Sequence, residues 1–302
     1  MSATELFECL TEQAPSAGPH VLVLAGVHGD EREPMVACRR LSRKITGHLQ
    51  RGRVTIVPVL NRSARRLKTR VGEDGLDLAR TFPGRVDGSL TERVAHAATE
   101  LIHSADYLID LHTGGRRYRL WPLAGFMLHP DAEILERQRQ LARAFNLPVV
   151  WGTEPSPQGR TLSAARDANV PAIYVEYLGG EGCCRTAVRA LAEGCLNVLA
   201  SLAMIDHPAL PTQTRYWADD SRPGAGHLQS SHPAPHAGLF APAARVGELV
   251  HAGQTIGWVT ATGSGERSTI FASQAGHVVC LSAPLPVEPG DGLAVVVEFQ
   301  SI

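Results

Sequence analysis

The stretch Leu24–Glu31, reading L-A-G-V-H-G-D-E, closes an apolar run with two glycines and presents an imidazole, His28, and a carboxylate, Glu31, three positions apart. The residues that lead into it, His20–Ala25, read as a buried strand, and Gly26 and Gly29 let the chain turn sharply where a bulkier residue would be strained. Such a turn can aim both side chains at one point, and a single zinc ion accepts nitrogen and carboxylate oxygen together. Catalytic zinc sites typically use three protein ligands, so a third donor must come from elsewhere in the chain. His112 fits: in I-D-L-H-T-G-G a second apolar strand, Tyr107–Leu111, again runs into a histidine and glycines. Two strands ending in metal-type side chains point to an open α/β sheet, where ligands gather beyond the carboxyl ends of parallel strands. Asp110 lies two residues before His112, on the same strand face, where it can orient the imidazole.

Around these two strands, strand and helix signals alternate through the first two-thirds of the chain, the pattern of βαβ units and a largely parallel sheet. Val54–Leu60 and Pro171–Tyr177 supply further strands. Apolar residues at three and four spacing predict helices over Glu33–Leu49, Leu90–Ser104, Ala132–Phe145, Thr161–Ala168 and Thr186–Met204. The composition changes near Asp206, where Pro, Gly and Ser become frequent and mark a linker. Short β-like pieces follow at Gly238–Phe240, Gln254–Thr260, Ser268–Phe271, His277–Leu281 and Leu293–Phe299, and predict a small all-β barrel or sandwich. The expected division is an α/β domain over 1–210 and a linker with a β domain over 211–302. His227, His232 and His236 fall in the proline-rich linker, which gives them no defined geometry and makes them solvated residues rather than a metal cluster.

A chain of 302 residues with 44% hydrophobic content can build a sizeable core, and a formal charge of -1 gives no electrostatic reason to expect nucleic acid or an anionic membrane surface. A small molecule is the expected partner. The N-terminal M-S-A-T-E-L-F-E-C-L carries acids in place of the basic start of a secretory signal, and no apolar run approaches the roughly 18 residues of a membrane-spanning helix. A soluble, cytoplasmic protein is therefore expected. Six cysteines without a C-x-x-C pair do not form a dense disulfide framework, and adjacent Cys183 and Cys184 read as buried thiols rather than a redox pair.

Hydrolysis at zinc also needs a group that takes a proton from water and a group that stabilises charge on the carbonyl oxygen. Glu176, in P-A-I-Y-V-E-Y-L-G-G, is a carboxylate at a third strand end and stands where a general base would. The arginine-rich segment from N-R-S-A at Asn61 to D-L-A-R-T-F-P-G at Gly84 reads as a loop with little to give the core, and offers guanidinium forks for carboxylates and oxyanions.

The ordered set G-V-H-G-D-E, N-R-S-A, D-L-A-R-T-F-P-G, D-L-H-T and V-E-Y-L-G-G resembles the succinylglutamate desuccinylase and aspartoacylase family, of the wider zinc carboxypeptidase-like fold. The resemblance spans nearly the whole chain. It implies a mixed, mostly parallel α/β sheet flanked by helices, with a small C-terminal all-β domain. It further implies one Zn2+ held by His28, Glu31 and His112, activation of water by Glu176, oxyanion stabilisation by Arg70, and substrate binding by Asn61 and Arg80. The chain departs from the family's D-L-N-R-x-F-P-G at Ala79, where asparagine is usual, and this bears on substrate choice more than on reaction type. V-G-E-L-V-H-A-G-Q-T-I-G also looks like a biotinyl or lipoyl domain, but no lysine follows Lys68, so a carrier role is excluded.

The expected activity is removal of a small acyl group from an N-acyl amino acid or related amine by a cytoplasmic zinc amidohydrolase, with room for a homo-oligomer. A zinc carboxypeptidase acting on a small peptide could use the same ligands and base. A metal-dependent binding protein without turnover is the third reading, and Glu176 argues against it because a pure binder has no need of a base.

Overall fold

The computed structural model describes residues 6–180, 183–228, 231–284 and 286–302. The first residues of the N-terminal segment and part of the linker, on which the expectations above also drew, lie outside them. Eight strands precede the C-terminal region: β1 (Leu10–Gln13), β2 (Ser16–Ala25), β3 (Arg51–Val57), β4 (Tyr107–His112), β5 (Tyr118–Met127), β6 (Val149–Thr153), β7 (Ala172–Gly179) and β8 (Tyr216–Asp220). They alternate with helices α1 (Arg32–Ile45), α2 (Arg62–Leu67), α3 (Leu90–His103), α4 (Ala132–Phe145), α5 (Thr161–Asp167) and α6 (Arg185–Ser201). The central order is β1-β3-β2-β4-β7-β5-β6-β8. The pairs β3–β2, β2–β4, β4–β7, β5–β6 and β6–β8 are parallel, whereas β5 runs antiparallel to β7. The sheet is mixed and mostly parallel, as the sequence predicts.

Strand β2 shows why its sequence is continuously apolar. Val21, Val23 and Ala25 face one buried cluster with α1, α4 and α6, while Leu22 and Leu24 face another with α3 and α5. Both faces of the strand are covered, so both phases of its two-residue repeat must be apolar. The helix α4 spans the predicted residues, and α1 and α6 end three to four residues earlier than their periodicity suggests. Helix α3 starts with a reciprocal capping box between Ser89 and Glu92, which satisfies two otherwise orphaned amides.

The C-terminal region contains β9 (Gly238–Pro242), β10 (Leu249–Val250), β11 (Thr255–Thr260), β12 (Arg267–Phe271), β13 (Gly276–Ser282), β14 (Pro286–Val287), β15 (Ala294–Val297) and β16 (Gln300–Ser301). Four of them form a separate antiparallel sheet in the order β12-β11-β9-β14. Its Phe240, Ile256, Val259 and Ile270 pack on Val278, Leu281, Ala294 and Val296 from β13 and β15. Strand β13 also pairs with β5, with Cys280 opposite Leu120, and β8 and β16 extend the far edge of the large sheet. The β region is thus stitched into the α/β sheet by backbone hydrogen bonds, and the strand Tyr216–Asp220, which reads as linker in the sequence, is part of that sheet. Among the described residues no helix is long and apolar enough to cross a membrane.

Candidate active site

The β2–α1 turn works because two glycines sit where side chains cannot. Gly26 has φ +65, and a Cβ there would lie 2.9 Å from the Val59 Cα. A Cβ on Gly29 would fall 1.9 Å from the Ala64 carbonyl oxygen, so only glycine lets the turn press against α2. His28 and Glu31 consequently project from one tight turn, with the His28 Nδ1 2.6 Å from the Glu31 Oε1. Parallel register brings the other donors alongside: Leu24 stands opposite Asp110, and His112 opposite Glu176. His112 places its Nδ1 3.1 Å from the Glu31 Oε2, and the Thr113 amide donates to the same oxygen.

His28, Glu31 and His112 are all buried, and each offers a ligand atom within 4.8 Å of the others. Their outward nitrogens face carboxylates. The His112 Nε2 is 3.0 Å from the Asp110 Oδ2, and the His28 Nε2 is 3.4 Å from the Asp77 Oδ1, too far for a good hydrogen bond. Each imidazole is thus backed by an aspartate and turns its Nδ1 toward Glu31, the arrangement in which carboxylates orient metal-ligating histidines. Burial works against charging either imidazole, yet Glu31 at both, and Asp110 at His112, raise their pKa values. Burial likewise pushes Glu31 upward, but His28 and His112 outweigh it and hold the carboxyl well below the usual carboxylate range. The carboxylates here are gathered to stabilise positive charge, and a nitrogen, oxygen and nitrogen donor set facing one point fits a zinc ion.

Glu176 adjoins this cluster and is of a different character. Burial, reinforced by Glu31 and opposed by His112, His28 and Arg70, pushes its carboxyl up to about 7. Its Oε2 is buried with no hydrogen-bond partner among the described residues. A carboxylate poised near neutrality with an unsatisfied oxygen is suited to accept a proton and later return it. Glu176 lines one cavity together with His28, Glu31, His112, Arg70 and Arg80. Of the residues singled out from the sequence, only Asn61 stands apart. Its Oδ1 accepts from the Ala64 amide and caps α2, its amide nitrogen is buried without a partner among the described residues, and it does not line the cavity.

Asp77, passed over in the sequence although it lies inside D-L-A-R, ties the site together. Its Oδ2 accepts from the Arg70 Nε at 2.9 Å, and its Oδ1 accepts from the Ala79 amide at 2.9 Å beside His28. Burial raises its pKa, but His28 and Arg70 more than compensate and hold the carboxyl well below its ordinary value. Asp77 caps the single 3-10 turn Leu78–Arg80, which carries Ala79 and Arg80 to the cavity rim. Arg160, before α5, also lines the cavity, and no motif marks it in the sequence. Burial, then Arg80, lowers its pKa, and its Nε is buried without a hydrogen-bond partner among the described residues.

Residues 17–202 match the family model described as the succinylglutamate desuccinylase/aspartoacylase catalytic domain. The chain is 31% identical over 288 residues to the N-alpha-acetyl-L-2,4-diaminobutyric acid deacetylase of Halomonas elongata, covering 93% of this chain and 82% of that protein. Its fold superposes with a TM-score of 0.86 on a succinylglutamate desuccinylase/aspartoacylase from Rhodobacter sphaeroides, at 28% identity over 96% of this chain and 88% of the other. The product-bound ectoine utilization protein EutE (DoeB) from Ruegeria pomeroyi also superposes at 0.86, with 26% identity and coverage of 95% and 87%.

Proposed function

Because the chain belongs to the succinylglutamate desuccinylase/aspartoacylase family, we propose that it is a zinc-dependent amidohydrolase that releases a free amine from an N-acyl amino acid or a related small amide. The observation that carries this reading is the convergence of the His28, Glu31 and His112 donor set with a separate carboxylate, Glu176, in one cavity. His28, Glu31 and His112 would hold the zinc, with Asp110 fixing the His112 imidazole from behind and the Asp77 carboxylate facing the His28 Nε2 at 3.4 Å. When bound, zinc supplies Lewis-acid polarisation of the acyl carbonyl and of the attacking water.

The chain's own residues account for the remaining steps. Glu176 takes a proton from water as the oxygen adds to the acyl carbon, then delivers that proton to the amide nitrogen as the C–N bond breaks. The products are a carboxylate and an amine. Arg70, steadied by Asp77 at its Nε, stabilises the charge that develops on the carbonyl oxygen. Arg80 binds the carboxylate of the amino-acid portion, its guanidinium braced by a 2.7 Å hydrogen bond from Nη1 to the Ala79 carbonyl. The six cysteines are free thiols, in keeping with a reducing, cytoplasmic setting; Cys183 and Cys184, expected to be buried, are instead exposed, just before α6.

The test is Glu176→Gln, assayed for amine release from a panel of N-acyl amino acids with metal content measured in parallel. The expected result is unchanged zinc stoichiometry and turnover lowered by about 10² to 10⁴-fold, the usual contribution of a general base. Near-parental turnover would remove Glu176 from the mechanism.

A further inference from the structure

Asp110 is the most deeply buried carboxylate of the candidate site, only 1% exposed, and both of its polar contacts fall on one oxygen. The Oδ2 accepts a 2.5 Å hydrogen bond from the Thr161 hydroxyl and lies 3.0 Å from the His112 Nε2. The Oδ1 is buried without a partner among the described residues. So enclosed an anion with so few donors is costly to bury. The cost is offset where the imidazole that the carboxylate faces carries a cation on its other nitrogen, as the His112 Nδ1 would in the donor set with Glu31.

Thr161 is the first residue of α5, where a threonine hydroxyl commonly bonds the backbone of its own turn. Here Ser163 takes that task, its Oγ accepting from the Arg160 amide and donating to the Arg160 carbonyl. The buried Thr161 hydroxyl reaches instead to Asp110, 51 positions earlier in the chain. The residues before it are held in place. The Phe82 amide donates to the Gly159 carbonyl at 3.1 Å, and a Cβ on Gly159, at φ +78, would lie 2.5 Å from the Arg80 carbonyl oxygen. The start of α5 is thus pressed against the turn that carries Arg80, and it has little freedom to move another donor up to Asp110.

We propose that Thr161 is a positioning residue for the metal centre, which acts through Asp110 to fix the His112 imidazole. This inference rests on the zinc amidohydrolase reading above. Without the hydroxyl, the carboxylate keeps one contact and is free to turn about its Cβ–Cγ bond, and His112 then loses the oxygen that orients it. Serine supplies the same donor, whereas valine matches the shape of threonine and supplies none.

The experiment titrates the zinc-loaded full chain with a competing chelator, for the parent, Thr161→Val, Thr161→Ser, Asp110→Asn and the double variant Thr161→Val with Asp110→Asn. Thr161→Val should weaken zinc binding about tenfold, the lower end of the range for groups behind a metal-ligating histidine. Thr161→Ser should restore the parental affinity. Because Thr161 acts through Asp110, adding Thr161→Val to Asp110→Asn should cost far less than it costs the parent, the non-additivity of groups in one hydrogen-bonded chain. Thr161→Ala deletes the same donor without placing a methyl beside the carboxylate, and stands in if the valine variant does not fold; thermal melting of each variant verifies folding. Parental zinc affinity in a folded Thr161→Val or Thr161→Ala, even with a lowered melting temperature, would make Thr161 purely structural and overturn the proposal. So would failure of serine to rescue, or full additivity with Asp110→Asn. A parent that binds no zinc would instead refute the zinc reading itself, and the role of Thr161 would fall with it.

Discussion

Asp77→Asn isolates the contribution of a side chain that touches both halves of the candidate site. The amide keeps an oxygen that can still accept from the Ala79 amide, so the 3-10 turn should persist. What disappears is the negative charge between the Arg70 Nε at 2.9 Å and the His28 Nε2 at 3.4 Å. Loss of a carboxylate that orients a metal-ligating histidine typically costs about 10- to 100-fold in metal affinity or activity. Arg70 loses its anchor as well, so turnover should fall about 10- to 100-fold even at saturating zinc, short of the roughly 10² to 10³-fold expected when an oxyanion donor is deleted outright. The stability cost is bounded by the value of a hydrogen bond to a charged group, about 1.5 to 3 kcal/mol, and is reduced by the partial exposure of this pair. The assay combines zinc titration against a competing chelator with amine release at saturating metal, and takes Asp110→Asn as the comparison. Asp110 backs His112 but does not touch Arg70, so its variant should lower metal affinity with a smaller effect on saturated turnover. Equal losses of saturated turnover in the two variants, or parental behaviour of Asp77→Asn in both measurements, would refute the bridging role.

His112→Ala should strip most of the zinc and the activity, checked by metal analysis of the purified protein, and full occupancy would show that His112 is not a ligand. Glu176 also sets a pH dependence in metal-free protein. Its folded pKa, raised by burial from 4.5 to about 7, means that its stabilising contribution is fully present below about pH 4.5 and is lost as pH rises through about 7. Metal-free parent should therefore lose more melting temperature between about pH 5 and pH 8 than metal-free Glu176→Gln, and equal slopes would contradict this. At the clamp, Ala79 lines the cavity without a hydrogen-bonding side chain, so Ala79→Asn should improve kcat/KM for an acid relative to its matching amide, while Arg80→Ala should weaken the acid alone. No change in Ala79→Asn would indicate that Arg160 already supplies the missing directional contact.

The sequence by itself determined what is local. His28 and Glu31 share one turn, Asp110 and His112 share one strand face, and β2 is apolar in both phases because helices cover both sides of the sheet. Five of the six helices could be read for the same reason, since each carries its own 3.6-residue stripe; α2 (Arg62–Leu67) is too short to show one, and its segment, read as a loop with little to give the core, in fact buries Ala64, Leu78 and Phe82. Four of the first eight strands had no comparable signal, nor did the two-residue strands β10, β14 and β16. Strand β5 contains Pro122, which weakens a strand reading, β1 and β6 are only 4 and 5 residues long, and β8 ends in two aspartates. Their identity is set by pairing with partners far along the chain, such as Leu123 with Glu176 and Val149 with Tyr216. The same holds for the side chains around the metal donors. Asn61 is the exception, since its oxygen caps the helix that starts at the next residue, a local role that N-R-S-A could have signalled. Arg160 and Cys280 carry no motif, because nothing in their neighbouring residues records that a loop and a strand more than a hundred positions apart close on one cavity. Local backbone preference and hydrophobic period are written in consecutive residues, whereas the walls of a cavity depend on which strands become neighbours, and that is decided by the tertiary fold.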